Sequence, residues 1–137
     1  MDAESVAAVF AHWKVIMGHE RARMDLKRAQ VIRDRLRDGY SVDDLCLAVE
    51  GCAASAFHCG ENDRGQRYDS LTLILRDADH VDKFISMGEQ ARRMIAAREQ
   101  RREEAAAQEQ KRAQPPTEEE KVRVRELLRS CKIRRVA

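Results

Sequence analysis

Large apolar residues recur three and four positions apart from Val6 to Gly88, and only one run, LTLIL at 71–75, reads as a possible strand. A single strand would leave its backbone donors and acceptors without a partner, because nothing else in the chain offers a second strand. The run is therefore assigned to a short helix and the chain to the all-α class. The expected architecture is a small bundle of four to five helices with an extended C-terminal helical arm.

Local signals place the helices. Val6, Val9, Phe10, Trp13, Ile16 and Met17 form one apolar face, with Ser5 as the expected N-cap and Gly18 as the stop. Asp25 caps a second helix whose inward positions are expected at Leu26, Ala29, Ile32 and Leu36, and Gly39 closes it. Ser41 followed by Asp44 is a capping box with Asp in place of the usual Glu. The helix it starts turns Leu45, Val49 and Cys52 inward. Asp69 or Ser70 is positioned to cap the LTLIL segment, and Asp77 or Asp79 to cap a helix carrying Val81, Phe84, Ile85 and Gly88.

The chain has 137 residues, a formal net charge of +2 and 36% charged side chains. A balance this close to neutral does not by itself point to nucleic acid, so any such role must rest on local clusters. No apolar run is long enough for a membrane span, and the N-terminus lacks the basic segment of a signal peptide. The expected setting is the cytoplasm, with the four cysteines as reduced thiols.

Composition divides the chain into a helical domain at 5–90, a charged helical extension at 91–114 and a tail at 115–137. The extension is rich in Ala, Arg, Glu and Gln, all strong helix formers except in their lack of an apolar seam. Pro115 and Pro116 stop it. Thr117 then caps a last helix that has acidic residues in its first turn and a basic end.

The first of these segments resembles a conserved C-terminal domain of phage replication proteins of the lambda O-like and DnaD-like kind. The resemblance rests on Arg35, Leu36, Gly39, Tyr40, Asp43, Asp44 and Leu45. It continues through Asn62, Asp63, Arg64, Gly65, Tyr68, Leu71, Ile74, Leu75, Arg76 and Asp77 to Phe84, and spans residues 9–87. It implies an accessory role in phage or prophage DNA replication: binding DNA, or recruiting the replicative helicase or its loader. The winged-helix part that precedes this domain in the family has no counterpart before Val6, so the chain is expected to be a stand-alone copy. Origin recognition is not carried over. An alternative of another class is an interaction protein that docks on a host or phage enzyme and inhibits it.

The candidate contact residues fall in three places. The loop at 60–68 carries Asn62, Arg64, Arg67 and Tyr68, where arginines can fork onto phosphate and a tyrosine ring can stack on an unpaired base. The same residue types build ordinary turns, with Asn bonding the backbone and Tyr filling the core. Arg28 and Arg35 could share an exposed face of the second helix, in a basic stretch balanced by Asp25, Asp34 and Asp38. Arg129, Lys132, Arg134 and Arg135 end the tail, which could grip nucleic acid, dock on a partner, or pair with a second copy as a homodimer. No catalytic constellation, cofactor motif or metal site is expected. Cys46, Cys52, His58 and Cys59 lack the tight spacing of a zinc site, and no phosphate-cradling glycine loop exists.

Overall fold

The computed structural model describes the backbone of residues 3–136 and the side chains of residues 3–131. Among these residues the chain is all-α. Its helices are α1 (Ala3–Met17), α2 (Leu26–Arg37), α3 (Val42–Ala54), α4 (Leu71–Ile74), α5 (Ala78–Ala113) and α6 (Glu118–Val136). The LTLIL run is helical, as its lack of a strand partner required. The chain divides after Ala97 into two units.

The first unit holds the core. Val6, Val9, Trp13 and Met17 of α1 meet Ala29 and Ile32 of α2, Leu45, Ala48, Val49 and Cys52 of α3, Leu71 and Ile74 of α4 with its C-cap Leu75, and Val81 and Phe84 of α5. Two expected inward positions face water instead. Leu26 is 87% exposed because it lies a turn ahead of Ala29, at the rim of the stripe, and Ile16 is 39% exposed. Ser5 is not the α1 cap either. The helix already includes Ala3, and Glu4 in its first turn suits the positive end of the helix dipole.

The other caps follow the sequence signals. Asp25 accepts from the Arg28 amide at 2.7 Å. The end of α2 is a Schellman turn: Gly39 N donates to Leu36 O at 3.1 Å and Tyr40 N to Arg35 O at 3.3 Å. Gly39 takes φ 109°, which a side chain would disfavour. Ser41 and Asp44 form the reciprocal capping box, at 2.9 and 3.0 Å. Ser70 rather than Asp69 caps α4, and Asp77 caps α5 through the His80 amide at 2.8 Å.

Polar ties then fix α5 on the first unit. Tyr40 donates to Asp82 at 2.6 Å, and this bond, with burial and the Asp82 charge behind it, pushes the phenol up to about 12. Arg92 forks onto Glu50 of α3 at 2.6 and 3.0 Å.

In the second unit, α5 runs on to Ala113 with its side chains exposed. Thr117 begins α6 with a second reciprocal cap, exchanging bonds with Glu120 at 3.2 and 3.3 Å. Val122, Val124, Leu127 and Leu128 of α6 are all exposed.

Candidate functional site

Asp69 is the one buried charged residue among those described, at 7% exposure. Its Oδ2 forms an ion pair with Arg67 Nη2 at 2.8 Å and lies 2.9 Å from His19 Nε2. Its backbone oxygen accepts from the Trp13 indole at 2.7 Å, which supplies the partner that a buried tryptophan needs. Arg67 also donates to the Met17 carbonyl at 3.0 Å and so caps the C-terminus of α1. One carboxylate thus joins the loop before α4 to the α1–α2 link.

An open cleft of about 500 Å³ lies along this junction, lined among others by Trp13, His19, Arg21, Arg28 and Asp69. His19 stacks on Trp13 with ring centroids 4.8 Å apart. The Arg28 guanidinium covers the same indole at 5.2 Å and donates to the Arg23 carbonyl at 2.6 Å. Of the groups lining the cleft, His19, Arg28 and Asp69 are therefore each engaged within the domain. Ser70, at its edge, uses its hydroxyl to cap α4.

The loop at 57–68 is a second constellation. Asn62 organises it with both ends of its amide. Nδ2 donates to Phe57 O at 2.8 Å and to Gln66 O at 2.6 Å, while Oδ1 accepts from the Arg64 and Gln66 amides at 3.1 Å each. An isolated antiparallel bridge between Cys59 and Arg67 closes the base. Tyr68 lies nearly parallel to Phe57, with centroids 5.7 Å apart and planes at 12°. His58 meets the edges of Phe57 and Phe84 and holds Ser55 Oγ at 2.7 Å through Nδ1. Burial lowers the His58 pKa, and the neighbouring Lys83 ammonium adds to the shift.

These contacts sort the residues singled out in the sequence. Asn62, Arg67 and Tyr68 hold the loop together. Arg28 and Arg35 do not share an exposed face: the Arg35 side chain is only 15% exposed, pairs with Asp38 at 3.1 Å and donates to Arg76 O at 3.3 Å. Both arginines lie on the side of α2 turned to its own domain, because the inward stripe Ala29–Ile32 sits between them. Arg64 and Arg129 are exposed, and their side chains have no hydrogen-bond or ion-pair partner among the described residues. The side chains of Lys132, Arg134 and Arg135 lie outside the described residues.

Two features were decided only by the structure. Phe57 is 55% exposed although it is a large aromatic. The cations left free on α2 are Lys27, Arg33 and Arg37, which share its outward face and have no partner among the described residues. Helical spacing of 27, 30, 33, 34 and 37 could have found that face, had Ala29 and Ile32 been used to orient the helix.

Burial, with Cys59 nearby, pushes the Cys52 thiol up to about 12, and burial also raises Cys46. Among the described residues no group of three or more His, Cys, Asp or Glu is placed to hold a metal ion, and no helix is long and apolar enough to cross a membrane. No protein-family model, curated protein or solved structure matches the chain.

Proposed function

We propose that this chain is a non-enzymatic accessory of phage or prophage DNA replication, working in the bacterial cytoplasm, that binds DNA and brings it to the replicative helicase or its loader. The resemblance across residues 9–87 supports the setting. One structural observation carries the DNA-binding part: Lys27, Arg33 and Arg37 stand unpaired on the outward face of α2, while Arg28, Arg35 and Arg67 are engaged inside the domain. Arg21 and Arg23 extend the cationic surface along the link before α2, also without partners among the described residues. Cations in this condition can displace the counterions of a phosphate backbone, which gives binding that weakens steeply with salt.

The test is fluorescence anisotropy with labelled DNA across a salt series. Arg33→Ala with Arg37→Ala should weaken binding and flatten the dependence of log K on log salt by about 0.7–0.9 for each phosphate contact removed. If the intact chain leaves DNA unbound even at low salt, the reading fails.

A second reading, docking on an enzyme or on another copy of the chain, draws on α6. Val124, Leu127 and Leu128 are exposed at spacings that put them on one side of the helix, with Cys131 a turn further on. On this reading, deleting 115–137 abolishes co-purification with the helicase or loader and removes any dimer seen by sedimentation equilibrium. If both survive the deletion, the docking surface lies elsewhere.

A further inference from the structure

We propose that Phe57 is a stacking platform for an unpaired nucleobase, so that the loop at 57–68 binds single-stranded rather than duplex nucleic acid. The inference rests on the DNA-binding reading above and extends it to the form of the ligand. Phe57 exposes 55% of its surface, yet the ring is held in place. Tyr68 backs it in a nearly parallel stack at 5.7 Å and His58 meets it edge-on at 5.3 Å. The backbone beneath is fixed as well: Phe57 O accepts from Asn62 Nδ2 at 2.8 Å, and Tyr68 N donates to His58 O at 2.8 Å.

An exposed phenylalanine with freedom to turn would lose side-chain entropy on gripping a base. Here the stack beneath has already restricted the ring, which lowers the cost of binding. The surrounding charge suits a nucleic-acid strand. Arg64 projects from the Asn62-closed loop without a partner among the described residues. Lys83 lies beside His58 and forms no ion pair among the described residues. A base can stack on the exposed part of Phe57, with Arg64 of the same loop and Lys83 beside His58 as cations for the strand's phosphates. A paired base in a duplex keeps both faces covered by its neighbours and offers nothing to the ring.

The test compares a short labelled oligothymidylate with a duplex of equal length, using the full chain. Phe57→Leu keeps apolar bulk but removes the ring, and Phe57→Tyr keeps the ring. The expected result is a loss of about five- to a hundredfold in single-strand affinity for Phe57→Leu. Phe57→Tyr should bind like the parent, and duplex affinity should be unchanged in both variants. In circular dichroism melts Phe57→Tyr should match the parent and Phe57→Leu should fall by a few degrees, because it loses the ring contacts with Tyr68 and His58, so binding is compared well below both midpoints. If Phe57→Leu binds the oligothymidylate within about twofold of the parent, far short of a stacking contribution, the platform is refuted even where the Arg33 and Arg37 substitutions still weaken binding. Failure of the intact chain to bind either DNA refutes the underlying reading as well.

Discussion

Gly51 of α3 and Gly88 of α5 meet backbone to backbone: a methyl group built on Gly51 would lie 2.7 Å from the Gly88 amide nitrogen. The same methyl would run into the Phe84 carbonyl, and one on Gly88 would strike the Leu47 carbonyl and come within 2.9 Å of the Leu47 Cδ1. Both glycines are buried. The two helices therefore cross at a distance that only glycine permits, and this crossing brings Phe84 into the core and Arg92 onto Glu50.

Alanine at either position must push the helices apart. The methyls meet backbone, which cannot rotate away as a side-chain tip can. Gly51→Ala and Gly88→Ala should each lower stability by about 1–3 kcal/mol, despite the better helix propensity of alanine. The double variant should lose less than the sum, because helices already separated by one methyl have room for the second. Urea denaturation of the three variants checks this. A midpoint for Gly51→Ala at or above that of the parent would show that the helices do not approach so closely.

Asp69→Asn keeps the shape of the side chain and removes its charge. Arg67 and His19 would then face a neutral amide in a largely buried position. The expected loss is about 1–3 kcal/mol, moderated because the Arg67 side chain is 49% exposed and stays partly hydrated. The Trp13 indole bonds to the backbone oxygen of Asp69, not to its carboxylate. Native tryptophan emission should therefore stay close to the parent while the thermal midpoint falls. An unchanged midpoint would mean that the carboxylate does not join the loop to the α1–α2 link.

His58 makes stability depend on pH in a definite direction. Burial first, and Lys83 second, hold its pKa below the ordinary value of 6.5. The folded chain thus binds the proton less readily than the unfolded chain. The stabilising contribution of the neutral ring is complete above that ordinary value and is lost as pH falls through the lowered one. His58→Gln should flatten the fall in urea midpoint on acidification below 6.5, compared with the parent. His12, His19 and His80 are common to both proteins, so the difference isolates His58. Parallel curves would show that the ring is not held neutral by its surroundings.

Much of the fold was legible in the chain because the signals are local. A cap needs one side chain and an amide two or three residues on, so Asp25, Ser41 with Asp44, and Thr117 could be read directly. The apolar stripes of α1, α3 and α5 were legible for a similar reason, since helical geometry fixes which side chains share a face. Reading failed at the edges. Ser5 looks like a cap but lies inside α1, and Leu26 fits the spacing of α2 but sits past the last neighbour that could cover it.

The candidate site was much less legible. Loop 60–68 contains side chains suited to gripping a phosphate and equally suited to holding a turn, and their chemistry does not say which. For Arg67 that was decided by the distant Met17 carbonyl together with nearby Asp69; Phe57, just ahead of the loop, takes the Asn62 amide and the Tyr68 ring; and on α2 the distant Arg76 carbonyl takes Arg35. By itself, the sequence determined the all-α class, the starts of the helices after α1 and the break at Pro115, all of which depend on neighbours within a turn or two. Only the tertiary structure decided which arginines remain free and which aromatic stays open to solvent, because a side chain is available to a partner only if no distant part of its own chain has reached it first.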